Sequence, residues 1–287
     1  MNDYLIVTDS SCDLTADFAE QLGVKVIKLE FIVEGEDAKE NDAIDEKQFY
    51  EILRSGKMIT TSAVSMDRFI AEVEPMLADG KDVLYLGFSS GLSSTYSAGF
   101  VGAQELSEKY PDSKIYTVDT LAASMGQGLL VWYAANMQKE GKSIEEVRDF
   151  VEDNKMKLAH WFTVNDLFFL KRGGRVSAAT ALVGTMLNIK PVMHVDDEGK
   201  LIKVTTARGR KTSIDALFEK AKATAIDPAI QTMFISHGDC IEDAEYLANK
   251  LKTELSVKDV VISYVGPVIG AHSGPGTLAL FFIGTNR

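Results

Sequence analysis

The chain is poor in the residues that metal and redox chemistry need. Its 287 residues include two cysteines and four histidines. Cys12 and Cys240 lie far apart without metal-ligand spacing, which predicts reduced thiols and a cytoplasmic protein. Neither HExxH nor CxxC occurs, so no metal ligand set is expected. There is no Walker-type lysine loop and no dinucleotide fingerprint; GQG (126–128) falls inside a helical pattern, where it reads as a packing feature. No apolar run approaches a transmembrane span, and the opening MNDYLIVTDSS is too short and too polar for a signal peptide. Cations are outnumbered, giving a formal net charge of −12, which argues against general nucleic-acid binding. What remains is an ordinary globular composition, 46% hydrophobic and 25% charged, with a length that suggests about two domains.

The first half alternates short apolar strands with helical patterns. Strands are expected at 4–8, 24–33, 82–88 and 114–120, and the acidic run 34–46 reads as a solvated loop. Asp13 or Thr15 caps a helix that stops at Gly23, and Ser143 with Glu146 forms a capping-box pattern. This alternation predicts a parallel sheet covered on both faces, with its ligand crevice at the carboxyl ends of the strands. Thr8-Asp9-Ser10-Ser11, Ser89-Ser90-Gly91 and Asp119-Thr120 fall at that edge. From about His160 the pattern changes: HWFTV and IKPVMHV read as strands, and the DDEG turn (196–199) joins the latter to KLIKVTT in a hairpin. The expected fold is therefore α/β with two domains, an N-terminal α/β/α domain with a parallel sheet (1–159) and a C-terminal α/β domain with a mixed sheet (160–287).

Four segments carry candidate chemistry. In SSGLSSTY (89–96), Ser93 and Ser94 sit where a strand hands over to a helix, so their hydroxyls join free N–H groups at a positive helix end that suits an anion. Capping by one serine is the structural alternative. TTSAVS (60–65) repeats the pattern, with Thr61 and Ser62 facing the same crevice or with Ser65 merely capping the next helix. KRGGR (171–175) offers an arginine for a carboxylate or phosphate, or else a glycine cap with basic residues complementing the helix dipole. GPVIGAHSGPG (266–276) gathers Gly270, Gly274, Gly276 and Pro275 into an expected loop that holds His272 at a cleft, or forms a tight turn around an incidental histidine. His160, His194 and His237 read as core or edge histidines.

Taken together the chain resembles the DegV family from end to end. The resemblance rests on TDSSCDL (8–14), TTSAVS, SSGLSSTY, VDT (118–120), DLFFLKRGGR (166–175), NIKPV (188–192), ARGRK (207–211) and GPVIGAHSGPGTL (266–278). It implies a two-domain protein that binds one long-chain fatty acid between its domains, needs no other cofactor, and presents the acyl carboxylate to a separate fatty acid kinase that phosphorylates it. It further implies that Thr61 and Ser93 hold the carboxylate, with Arg172 and His272 joining the network and Ser62 and Ser94 beside it. Two positions depart from the family pattern. Val64 replaces a usual proline, which is expected to loosen the loop carrying Thr61, and Ser94 replaces a usual glycine, which adds a hydroxyl.

Further expectations follow from this. Phe168, Met186, Leu187, Met193 and Ile269 are expected to line the acyl tunnel. Lys171, Arg172, Arg175, Arg208, Arg210 and Lys211 form two basic clusters in an acidic chain, and Arg175, Arg208 and Arg210 are the candidates for docking an acidic kinase face. Transient contact with a membrane surface is also compatible with such a ligand. The rival from another class is a hydrolase or acyltransferase using Ser93 or Ser94 with His272 as base, although the G-x-S-x-G elbow is missing.

Overall fold

A computed structural model describes residues 3–177 and 188–287. Strands β1 (Tyr4–Asp9), β2 (Lys25–Ile27), β6 (Asp82–Gly87) and β7 (Ile115–Asp119) form a parallel sheet in the order β2-β1-β6-β7. Alternate residues point to opposite faces. Val7, Val83 and Tyr85 therefore pack under helices α3 (Met66–Ala78) and α4 (Thr95–Lys109). Ile6, Leu84 and Leu86 pack under α5 (Met125–Lys139) and α6 (Ile144–Lys155). The chain terminators behave as read: Thr15 caps α1 (Ala16–Leu22), Gly23 ends it, and Ser143 with Glu146 closes a capping box on α6.

The second half forms a mixed sheet. Strands β8 (Leu158–Thr163), β9 (Ile189–Val195), β10 (Leu201–Arg208), β11 (Thr232–His237), β12 (Asp259–Tyr264) and β13 (Leu278–Ile283) stand in the order β10-β9-β8-β13-β11-β12. Only β11 and β12 pair in parallel; the hairpin of β9 and β10 is antiparallel, as expected. Helices α8 (Arg210–Thr224) and α9 (Ile241–Glu254) cover its outer face, where Trp161, Met233, Ile235 and Leu280 are buried. The inner face, with Phe162, Met193, Phe234 and Phe281, packs on the same apolar cluster as α5.

Helix α5 thus lies between two sheets, and a helix so placed must be apolar around its circumference. Met125, Leu129, Leu130, Val131, Ala134 and Ala135 are all buried. Its glycines are packing features, as read: a Cβ on Gly126 would meet His160 of the mixed sheet at 2.3 Å, and one on Gly128 would meet the Cys12 carbonyl at 2.8 Å.

Three expectations are corrected. Residues 24–33 are not one strand: β2 ends at Ile27, and β3 (Glu30–Val33) is the central strand of a separate three-stranded sheet. The acidic run is not simply a loop, because it contributes β4 (Ala38–Glu40), and the polar TTSAVS supplies β5 (Ile59–Ser62). These strands are short and half-solvated, and they are held by antiparallel pairing with β3 rather than by an apolar pattern of their own. The third correction is that residues 267–273 form a helix, α10 (Pro267–Ser273), not a loop. It packs with α2 (Glu46–Arg54) and the small sheet around Phe31, Phe49, Tyr50 and Ala271. Gly270 is needed there for close approach, since a Cβ would meet Phe49 at 2.8 Å; only Gly274 and Gly276, just past the helix, adopt positive φ.

Two buried acids sit where these layers meet. Tyr85 Oη and Phe88 N–H donate to Asp9 Oδ2 at 3.0 and 2.9 Å, and Ser11 N–H donates to Oδ1 at 3.2 Å. Gln127 of α5 joins this group by donating to Thr8 Oγ1 at 2.9 Å. Asp13 takes a left-handed backbone, φ 53°, and its Oδ2 accepts from Ser124 Oγ at 2.5 Å. Burial raises Asp9, and it pushes Asp13 up to about 8 despite the bond from Ser124. A folded-state value above the unfolded one means that stability is full at low pH and falls as pH rises toward the folded value. Asp13 should therefore lower the unfolding free energy between about pH 4 and about pH 8, by at most ~1.4 kcal/mol per pH unit. Denaturant titrations should show a shallower decline in Asp13→Asn, because asparagine tolerates the left-handed backbone and does not ionise. An unchanged slope would place the pH dependence elsewhere.

Candidate functional site

A cavity of about 290 Å³ opens where the parallel strands end against the inner face of the mixed sheet. Leu29, Phe88 and Ala123, which follow β2, β6 and β7, form one side, and Phe162, Val195, Ala279 and Phe281 of the mixed sheet form another. This is the expected crevice at the carboxyl ends of a parallel sheet. Most of the hydroxyls expected at that edge are structural instead. Asp9 and Ser11 are in the buried network, Ser89 Oγ donates to the Gly199 carbonyl at 2.9 Å, and Thr120 Oγ1 donates to Gly87 O at 2.7 Å.

Thr61, Ser62, Ser93, Ser94 and His272 all line the cavity. Strand β5 presents Thr61, and the last turn of α10 presents His272, whose Nε2 lies 2.8 Å from Thr61 Oγ1. The other face of the imidazole presses on KRGGR: a Cβ on Gly173 would lie 2.1 Å from His272 Nδ1. Glycine at 173 is thus a steric requirement of the histidine, with an ordinary φ of −73°. Ser93 Oγ accepts from Thr95 N–H at 3.2 Å and stands 2.9 Å from Thr95 Oγ1. Thr95 is fully buried and receives the Val64 N–H at 3.3 Å. A proline at 64 has no N–H to give, so the departure at Val64 ties the loop after Thr61 to the start of α4. Ser65 caps α3, which leaves Thr61 and Ser62 to the cavity; Ser62 Oγ also reaches Glu30 at 3.4 Å. Ser94 is exposed at the rim and makes no capping bond.

The arginines are placed differently from the expectation. Arg175, expected at a partner surface, lines the cavity, and its Nε and Nη2 donate to Leu92 O at 3.3 and 3.1 Å, with Nη1 on Gly173 O. Arg172 is not among the lining residues. Its guanidinium stacks over Phe169, 4.9 Å from the ring centre, with Nη1 3.5 Å from Met58 Sδ. Short helix α7 (Phe168–Arg172) ends at this point, and Gly174 at φ 73° turns the chain so that the second arginine returns to the cavity. Both guanidiniums still act on His272: burial first, then Arg175 and Arg172, push it down to about 4. A neutral imidazole between two cations is a positive field that favours a carboxylate.

The remaining expected residues scatter. Ile269 lines the cavity, Phe168 is 55% exposed, Met193 belongs to the core under the sheet, and Met186 and Leu187 lie outside the described residues. Arg208 is exposed, whereas Arg210 is half-buried and donates to Asp243 Oδ2 at 2.8 Å. Sequence reasoning missed Thr95, Ser124, Ser236 and the cavity-facing role of His160, all of which are buried. His272 Nδ1 has no partner among the described residues, so no carboxylate orients the ring as a serine–histidine mechanism requires. Among the described residues there is no cluster of three or more His, Cys, Asp or Glu that could hold a metal, and no helix long and apolar enough to cross a membrane.

The family model described as "uncharacterised protein, DegV family" matches residues 4–285. The chain belongs to the DegV family. A DegV domain-containing protein of Clostridium perfringens is 45% identical over all of this chain and 99% of its own length. Among solved structures, a fatty-acid-binding DegV family protein from Thermus thermophilus matches with a TM-score of 0.87 and 30% identity, over 98% of this chain and 99% of that one. DegV from Bacillus subtilis, described as a fatty acid binding protein, matches with a TM-score of 0.84 and 27% identity over 98% and 99%. The Thermus thermophilus and Bacillus subtilis proteins bind fatty acids.

The field around His272 has a direct readout. In the ligand-free protein its NMR titration midpoint should lie near pH 4, and Arg175→Gln should move it upward. An ordinary midpoint, or one insensitive to Arg175, would remove the electrostatic basis of the site.

Proposed function

We propose that this chain binds one long-chain fatty acid in the cavity, with the carboxylate at the Thr61–His272–Ser93 end, and presents it to a partner fatty acid kinase. The observation that carries the reading is the junction of this polar group, flanked by two guanidiniums, with a mainly apolar cavity. If His272 Nε2–H donates to Thr61 Oγ1, the Thr61 hydrogen is free for the ligand. In the same way, if Thr95 Oγ1–H donates to Ser93 Oγ, which also accepts the Thr95 N–H, the Ser93 hydrogen is left for the other carboxylate oxygen. Two aligned hydroxyl donors in a positive field offset the cost of taking a carboxylate out of water. Along the chain each buried methylene contributes about 0.8 kcal/mol, so some fifteen give roughly 12 kcal/mol before the costs of association.

Presentation requires that the head group be reachable from outside. Thr61, Ser93 and His272 are all half-buried, and Ser94 at the rim is exposed. The kinase role rests on the family resemblance together with this exposed polar end. Of the basic residues, Lys171, Arg208 and Lys211 are exposed and available to an acidic partner, whereas Arg175 and Arg210 are engaged within the protein. The proposed docking cations are therefore Arg208 and its exposed neighbours.

Thr61→Ala and Ser93→Ala should each weaken long-chain fatty acid binding by about 1–3 kcal/mol, the usual result of leaving a buried acceptor unpaired. Their double mutant should be non-additive, because both hydroxyls act on one carboxylate. Calorimetry showing unchanged affinity in both single variants would place the head group elsewhere. For the partner, Arg208→Glu should slow kinase-dependent acyl phosphorylation and reduce its salt sensitivity while leaving lipid affinity unchanged. Normal phosphorylation across a salt series would exclude this docking surface.

A further inference from the structure

A second space adjoins the head group. Leu92, Arg175 and Leu201 line the cavity and also an open surface groove of about 710 Å³. The groove lies between Gly91 and Leu92, the segment from Gly174 to Ser177, and the start of β10, where Asp196, Lys200 and Lys203 are on its wall. It begins beside the head group, because Leu92 directly precedes Ser93 and its carbonyl is the one that Arg175 caps. Arg175 places three of its five N–H groups on Leu92 O and Gly173 O, with two left over.

Lys203 is out of place in the pattern of its own strand. Alternate strand residues share a face, so Lys203 stands with Leu201 on the inner face of the mixed sheet, opposite Met193. Phe162, Met193, Phe234 and Phe281 make that face apolar, whereas the half-buried Lys203 brings a charge to it. An inward charge on an edge strand discourages pairing with another sheet, but it does not account for a second cation in the same groove. Neither Lys203 nor Arg175 has a carboxylate partner among the described residues, and residues 178–187 contain no acid. The other charges of the groove are answered. Lys200 pairs with Glu198 at 2.6 Å, and Asp196, the one acid among the lining residues, accepts the N–H groups of Glu198 and Lys200 at 3.0 and 2.8 Å. Positive charge is therefore in excess on this wall, and Arg175 and Lys203 carry it.

A carboxylate at the Thr61–Ser93 end does not call for a lysine in the groove beyond Leu92. Two unpaired cations in an open groove fit a group with more charge and more acceptor oxygens, and a phosphoryl group has both, at about two negative charges and three acceptors. We propose that the groove at Arg175 and Lys203 is a phosphoryl-binding site, occupied by the phosphate of an acyl phosphate whose chain lies in the cavity. This rests on the acyl reading of the cavity, because an acyl phosphate is what phosphorylation of the bound acid leaves there. The carbonyl oxygen stays at Thr61 and Ser93, and the phosphate extends past Leu92 toward Lys203. Lys203 thus holds the product and has no contact with the free acid.

The test compares hexadecanoic acid with the ketophosphonate analogue of its acyl phosphate, in which a methylene replaces the anhydride oxygen. Both are titrated by calorimetry into the wild-type protein, Lys203→Gln and Lys203→Arg. Lys203→Gln should weaken the phosphonate on the order of tenfold, as the loss of one charge-assisted hydrogen bond does, and leave the acid unchanged. Lys203→Arg should restore most of the difference. Should Lys203→Gln fold poorly, a salt series on the wild-type protein serves instead: the phosphonate should weaken with ionic strength more steeply than the acid. Inorganic phosphate, titrated into the lipid-free protein, separates the sources. If it binds in a Lys203-dependent way while the phosphonate ignores Lys203, the acyl phosphate is overturned as occupant and the groove belongs to a separate phosphate-bearing molecule. If Lys203→Gln changes none of the three, or weakens acid and phosphonate alike, the inference is overturned while the acyl reading stands. If hexadecanoic acid does not bind the wild-type protein, both fall together.

Discussion

The site depends on the confinement of the His272 imidazole between Thr61 and the backbone of Gly173. Three segments far apart in sequence must meet for this to happen, and each is fixed by a separate part of the fold. Thr61 is delivered by a small antiparallel sheet that exists because the chain leaves the parallel sheet after Ile27. His272 is delivered by α10, which packs with that sheet around Ala271 and sits on α2 through the close approach of Gly270 to Phe49 and Tyr50. Gly173 ends α7, and any larger residue there would collide with the ring. Because the histidine is buried, and then because Arg175 and Arg172 flank it, it is kept neutral and its surroundings positive. A carboxylate is the ligand that such surroundings favour.

The second constraint is the sharing of α5 by two sheets. A helix that must pack on both faces leaves no polar side to solvent, and its two glycines let each sheet come close. The parallel sheet therefore ends directly above the inner face of the mixed sheet, and the space left at that junction is the cavity. The same arrangement buries Asp9, Asp13 and Gln127, whose hydrogen bonds join the start of α5 to β1 and β6. His160 and Ser124, which line the cavity, belong to this junction too.

How much of this could be read from the sequence follows from the kind of signal each part leaves. The parallel sheet was legible because buried parallel strands are near-continuous apolar runs separated by capped helices. The hairpin of β9 and β10 was legible through its DDEG turn. The small sheet was not, since β4 is AKE and β5 is ITTS, polar strands whose only cause is pairing with β3. Thr61, Ser93 and His272 came from the family resemblance, and the cavity brings all three to its wall. The choice between Arg172 and Arg175 could not be read from KRGGR, because it turns on the left-handed backbone of Gly174. Thr95 was hidden as the third hydroxyl of a run in which only burial marks it out. His160 reads as a core histidine, and it is deeply buried; that the residue also lines the cavity is a fact of register between β8 and β13.

The most direct test of the central claim is to purify the protein as expressed and compare its native and denaturing mass spectra, then identify whatever is released. One long-chain fatty acid per chain, present under native conditions and lost intact on denaturation, is the expected result. A protein that carries no lipid and takes up none, or one that keeps an acyl mass on Ser93 or Ser94 after denaturation, would contradict it.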